Sequence, residues 1–238
     1  MSYEFSPAGY TALLGAMRDL GYEARNFEDA DPAQRHLILR HDVDFSLEAA
    51  ASMAELECRL GHASTYFVLL RTEFYNVFSN AGLAALRKIA DFGHSIGLHF
   101  DGSLYPSTSD VVDAAVDREA KLLGVALGRV VTLMSFHRPA ADRIGEGERI
   151  GGLLNAYGPR FVREMGYCSD SRGAWHRGLP TEHAAVREGR ALQLLTHPFW
   201  WQSPAQPPEE RLRRFVEERR DFVDQELERQ CIVHKAGG

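Results

Sequence analysis

At 238 residues, with 33 acidic against 27 basic side chains and a formal net charge of -6, the chain has no positive field to gather a phosphate backbone, which argues against a nucleic-acid partner. A hydrophobic share of 45% and an aromatic share of 10% describe a folded core, not a disordered polymer, and the length suits a single domain over residues 1–238, in the size range of barrels and other α/β folds. No basic segment leading into an apolar stretch opens MSYEFSPAGY, and no apolar run approaches the roughly 18 residues of a membrane helix, so a cytoplasmic protein without membrane contact is expected. The widely spaced Cys58, Cys168 and Cys231 form no CxxC pair, which points to free, mostly buried thiols rather than disulfides or a thiolate zinc site.

Ser6-Pro7 ahead of Tyr10, Leu13, Leu14, Met17 and Leu20 reads as a capped outer helix closed by Gly21. A short apolar strand at residues 37–39 then runs into a polar loop, RHDVD, and Ser46 caps a helix that turns Leu47, Ala50, Ala54 and Cys58 to the core. The unit repeats. Strands at 64–70, 95–100 and 130–136 precede helices at about 81–90 and 109–123 and then a glycine-rich irregular stretch. Further strands are expected near 167–169 and 191–196, before Pro207-Pro208 opens a last helix whose Leu212, Phe215, Val216, Phe222, Val223 and Leu227 pack as a cover. Alternation of strand and helix predicts parallel strands with helices outside them.

Chemistry-bearing residues fall where these strands end: His41, Asp42 and Asp44; His99 and Asp101; His137 and Arg138; Asp170; and His197. In parallel α/β folds and barrels, the carboxyl ends of the strands are where ligands bind, so one pocket is nominated. Asp42 and Asp44, two apart, would point alike on an extended backbone, and one carboxylate could bind a divalent cation while the other takes a proton from water. His99 is a ligand candidate whose second nitrogen a carboxylate or carbonyl would hold, with Asp101 nearby for either task, whereas His94 reads as structural. His137 is open between ligand and substrate contact, and Arg138 between orienting a carboxylate and binding an oxyanion. His197 precedes PFWW and suits acid catalysis; Asp170 could hold Arg138 or His197 in register. Trp175, Trp200 and Trp201 are the aromatic candidates for stacking on a sugar ring.

These motifs, LRHDVD, GHSIGLHFD, SFHRPA and LLTHPFWW, resemble in order those of the polysaccharide deacetylase family, the NodB-like metal-dependent carbohydrate deacetylases, in a divergent branch opening on RHDVD; the resemblance covers residues 37–201. It implies a distorted (β/α) barrel of about seven parallel strands. It also implies a base at Asp42, metal ligands at Asp44 and His99, a base-orienting arginine at Arg138 and a general acid at His197. The family's second histidine ligand would stand four residues after His99, where this chain has Ser103, leaving Asp101 or His137 as the replacement.

The implied reaction is metal-dependent hydrolysis of an acetamido group, or of an ester, on a sugar or glycoconjugate precursor. Zn2+ heads the expected cations, with Ni2+, Co2+ and Mn2+ open, because a mixed carboxylate and imidazole set favours borderline ions over calcium. The expected partner is a small-molecule or carbohydrate substrate. Two rivals stand beside this reading: a small-amide or ureide hydrolase on the same scaffold, and a carbohydrate-binding barrel without turnover. A nucleotide cofactor is not expected, since no glycine-rich phosphate loop follows a strand.

Overall fold

The computed structural model describes residues 3–231. Its strands are β1 (Glu23–Ala24), β2 (His36–Val43), β3 (Thr65–Leu69), β4 (Ser95–Phe100), β5 (Leu133–Phe136), β6 (Arg149–Ile150), β7 (Leu153–Asn155), β8 (Gly166–Ser169) and β9 (Leu192–Thr196). The longer helices are α1 (Pro7–Asp19), α2 (Leu47–Arg59), α3 (Asn80–Asp91) and α4 (Ser109–Leu127), followed by the short α5 (Ala184–Arg187) and the long α6 (Pro208–Gln230). One sheet runs in the order β6-β7-β5-β4-β3-β2-β9-β8, with β1 added to the start of β2. Every pairing is parallel except β6 with β7, so the sheet is mixed and not purely parallel.

The sheet curls without a closing strand pair among the described residues. Tyr157, just beyond β7, and Tyr167 of β8 bring their ring centroids to 6.0 Å, and the Gln193 amide of β9 donates to the carbonyls of Ala156 and Phe161. The result is the general shape of a distorted (β/α) half-barrel with a filled interior. Ile38, Phe67, Leu133 and Leu154 pack inside with Phe27 and Phe161, while α2, α3 and α4 cover one part of the outer face and α1 another. Gly97 marks the tightest point of the interior. A Cβ there would stand 2.6 Å from the Phe67 ring, so glycine on β4 is what lets that ring lie across the barrel floor.

Caps expected from the sequence form. Ser6 Oγ accepts from the Gly9 amide and Ser46 Oγ from the Ala49 amide, each at 3.1 Å, and Gly21 closes α1 with a left-handed φ of +82°. Three other expectations change. RHDV is not a loop but the end of β2, so Arg40 and Asp42 share the inner face and His41 points outward. Cys58 and Cys231 are exposed and only Cys168 is buried. Finally, α6 is not a packed cover: Val216 is 66% exposed, Phe222 and Val223 are 48% exposed, and Phe215 is the member of the stripe that packs, against Phe45, Phe74 and Phe199. Fourteen charged side chains, of which Arg211 is buried, keep most of its surface in water, which a count of apolar spacing alone does not register. No helix among the described residues is long and apolar enough to cross a membrane.

Candidate metal centre and its surroundings

The carboxyl ends of six parallel strands, β2, β3, β4, β5, β8 and β9, converge on one cavity of about 970 Å3. Asp42 lies in the last turn of the β2 pleat and Asp44 just past it. His99 lies in β4, His137 directly after β5, Asp170 after β8 and His197 after β9. Parallel pairing in register, with Asp42 opposite Phe67 and His99 opposite Leu69 and Ser135, brings these ends to one level.

Asp44, His99 and His137 form a cluster able to hold a divalent metal ion, one donor atom from each lying within 4.8 Å of the others. His99 Nε2 stands 3.3 Å and His137 Nδ1 3.4 Å from Asp44 Oδ1, and the two imidazole nitrogens are 3.3 Å apart. The two contacts to Asp44 lack hydrogen-bond geometry, so its Oδ1 is buried with no hydrogen-bond partner, whereas the two imidazole nitrogens lie within hydrogen-bond range of each other. A buried carboxylate oxygen facing two imidazole nitrogens, with no hydrogen bond occupying its lone pairs, is a donor set suited to a divalent cation, so the residues fit the group. Burial opposes charge on Asp44, yet His137, His99 and His197 together hold its carboxyl far below the usual carboxylate range. His99 is aimed by Ser135, whose hydroxyl meets Nδ1 at 2.7 Å; a serine fills the place expected of a carboxylate or carbonyl.

Beside this cluster, Asp42 is gripped from its own strand. Arg40 Nε donates to Oδ1 at 2.9 Å and Nη2 to Oδ2 at 2.8 Å, a bidentate pair with both residues buried. Arg40 is itself pinned: Nη1 donates to Gln193 Oε1, and the guanidinium lies 4.2 Å from the Tyr157 ring centroid. Burial would raise the Asp42 carboxyl, but Arg40, then His99 and His197, outweigh it and keep the group ionised. Arg40 stands inside the LRHDVD motif, and the period of two that relates it to Asp42 was the signal available for it.

Across the cavity, His197 is held by Asp170. Its Nδ1 lies 2.6 Å from Asp170 Oδ1, its backbone amide meets the same carboxylate, and Trp201 Nε1 donates to Oδ2 at 2.7 Å. This leaves Nε2 facing Asp44 Oδ2 at 3.8 Å. Burial would lower the imidazole pKa, but the charge and hydrogen bond of Asp170, helped by Asp44 and Asp42, push it up to about 9.

The other sequence candidates divide. Asp101 lines the cavity outside the Asp–His–His group; its Oδ1 accepts from the Ser103 amide at 3.0 Å and hydroxyl at 2.6 Å, so the serine at the expected histidine position engages the carboxylate named as one replacement ligand. Arg138 does not reach Asp42, whose two oxygens Arg40 occupies; its Nε donates to His137 Nε2 at 2.7 Å, a bond that needs the imidazole proton on Nδ1 and is given up when Nδ1 takes a cation. Trp200 lines the cavity. Trp201 and Trp175 instead pack behind it with Phe5, where Trp201 serves as the donor to Asp170.

No protein-family model matches the chain, and no curated protein does. Solved structures that align with most of the chain include a Streptococcus pyogenes deacetylase, PplD, in complex with acetate, at 15% identity and a TM-score of 0.47 over 87% of this chain and 85% of that one. A family 4 carbohydrate esterase from Bacillus anthracis gives 13% identity and a TM-score of 0.45 over 90% and 86% of the two chains. A pseudoenzyme of that esterase family from Bacillus anthracis gives 13% and 0.42 over 87% and 77%. At this level of similarity, chemistry has to be assigned from the side chains themselves: a part-buried Asp–His–His cluster able to hold a metal ion, flanked by an arginine-clamped aspartate and an aspartate-held histidine.

Proposed function

We propose that the protein is a metal-dependent hydrolase that removes an acyl group, N-acetyl in the first instance, from a sugar or glycoconjugate precursor, as a divergent member of the NodB-like polysaccharide deacetylases. The observation that carries this reading is the orphaned Asp44 Oδ1 between two imidazoles, placed between an ionised Asp42 and a cationic His197. Asp44, His99 and His137 would hold the cation, with Zn2+ the leading choice and Ni2+, Co2+ and Mn2+ as alternatives. When bound, the cation supplies Lewis-acid polarisation of the acyl oxygen and of water.

The chain's own groups supply the proton transfers. Asp42 accepts the proton that water loses as it attacks the acyl carbon, and Arg40 keeps both carboxylate oxygens in place for this. His197 donates its Nε2 proton to the departing nitrogen, and Asp170 on Nδ1 stabilises the imidazolium before the transfer. Trp200 supplies an apolar wall for the sugar. Support for this division comes from opposite settings of the two groups, a carboxyl held low and an imidazole held high, in one cavity.

A panel of acetylated amino sugars, sugar esters and small amides, assayed with and without chelator, tests the reading. Chelator-sensitive release of acetate from an amino sugar is the expected result. Chelator-sensitive turnover confined to small amides would replace the substrate class, and sugar binding without turnover in any divalent metal would remove the enzyme.

A further inference from the structure

Resting on the deacetylase reading, we infer that the acyl sugar carries an oxyanion, a phosphate or a carboxylate, which Arg138 and Arg172 receive at the rim of the cavity. Arg40 takes the task expected of Arg138, and Arg138 is thereby released from the catalytic aspartate. Its guanidinium makes one hydrogen bond, to His137, and no ion pair among the described residues; the Arg172 guanidinium makes neither. Both side chains are exposed and both line the cavity that holds Asp42, Asp44, His99 and His197.

Their backbones are as distinctive as their side chains. Among the described residues, Arg138 (φ +49°) and Arg172 (φ +59°) are the non-glycine residues with left-handed backbone. An L side chain in that region is strained, and such strain collects where surrounding structure holds a residue in place for a ligand. The turn carrying Arg172 hangs from Asp170, whose carbonyl accepts from the Gly173 amide at 2.9 Å, and Asp170 also holds His197. Arg138 follows His137, whose amide is tied to the Phe100 carbonyl at 2.8 Å. The two guanidiniums are thus anchored to the two sides of the reacting centre.

The charge balance of the wall agrees. Four carboxylates line the cavity: Asp42 is matched by Arg40 and Asp44 faces the histidines, which leaves Asp101, hydrogen-bonded by Ser103, and Glu73. Against these two stand three exposed arginines, of which Arg71 lies over the Tyr105 ring, Arg138 acts on Asp101 without forming an ion pair, and Arg172 forms no ion pair among the described residues. A protein of net charge -6 that keeps unpaired guanidiniums at the mouth of a metal site is arranged to draw in an anion.

Calorimetric binding to the metal-free protein at low salt tests this without turnover, using N-acetylglucosamine, its 1- and 6-phosphates and N-acetylmuramic acid. At least one anionic sugar is expected to bind about tenfold tighter than the neutral one, as two charge-assisted contacts allow. The phosphate and carboxylate arms identify which oxyanion it is. Arg172→Gln should erode that preference and leave neutral-sugar affinity unchanged, Arg138→Gln should erode it too, and Arg172→Lys should retain most of it. Equal affinity for charged and neutral sugars, no anionic sugar bound, or a preference that survives the double Gln variant would overturn the inference. Deacetylation of neutral sugars without any charge preference would remove this inference and leave the proposed reaction standing. The reverse outcome, charge preference with no deacetylation under any metal, would remove the reaction alone.

Discussion

The two faces of β2 carry two buried polar clusters one residue apart, and their difference separates scaffold from chemistry. On the outer face, His41 meets Glu57 of α2 at 2.9 Å, and Tyr10, Ser64 and Tyr66 donate to the same carboxylate at 2.6, 2.6 and 2.7 Å. Both Glu57 oxygens are filled, the group is fully buried, and Thr196 of β9 closes the far side of the imidazole at 2.8 Å. On the inner face, Arg40 and Asp42 are equally well paired, but Asp44 beside them keeps an oxygen without a partner and looks into a cavity. A buried charge whose hydrogen bonds are complete ties elements together; a buried charge left incomplete next to solvent space is available for a ligand. The outer cluster joins α1, α2, β2, β3 and β9 and so fixes the level at which the inner residues meet.

Disabling each cluster separately sharpens that contrast. Asp42→Asn keeps the shape and one acceptor for Arg40, and should lower deacetylation by roughly 1,000-fold with circular dichroism unchanged, as loss of a positioned general base does. Unchanged turnover on a verified substrate would remove Asp42 from the chemistry. Glu57→Gln should do the reverse, with kcat kept within a few-fold and urea stability lowered by about 3 kcal/mol. Turnover abolished in a folded Glu57→Gln protein would erase the division between the two faces.

The pH dependence divides in the same way. Burial opposes the charge of Glu57, but His41, Ser64 and Tyr10 bring its pKa to about 2. Its contribution to stability is therefore present above the ordinary value of 4.5 and is lost as pH falls towards 2, and Glu57→Gln should flatten the acid limb of urea midpoints. His197 has the opposite sign. With a raised pKa, its contribution is full below 6.5 and disappears as pH rises through about 9 in the metal-free protein. NMR titration of the His197 ring should find that midpoint, and Asp170→Asn should move it back towards 6.5; a midpoint near 6.5 in the unaltered protein would show that Asp170 does not charge it. The smallest effect belongs to Trp200→Ala, expected to raise KM about fivefold with kcat nearly unchanged, the loss of one apolar contact surface.

Much of this arrangement was legible in the sequence because it depends on local period and capping. The strand at 95–100, the capped starts of α1 and α2, and the placement of His99, His137, Asp170 and His197 at strand ends follow from alternation and turn residues. Partnerships across the sheet were harder to read. Arg40, Ser135 and Glu57 find their roles through register and helix packing, and RHDV looked like a loop because buried charges on both faces of a strand mimic polar turn sequence. Short β6 and β7 were lost in a glycine-rich stretch, since strands of two and three residues carry no period to detect. Side-chain direction, which the sequence does not show, separates Asp101 from His137: His137 stands with Asp44 and His99, and Asp101 turns to Ser103.

The account depends most on the Asp–His–His cluster being a metal site, and anomalous diffraction from crystals soaked with Zn2+, measured on both sides of the zinc edge, tests that directly. One ion bonded to Asp44, His99 and His137, with Asp101 still on Ser103 and Asp42 still on Arg40, is the predicted result. No anomalous peak at saturating zinc, or an ion held by Asp101 in place of His137, would contradict it.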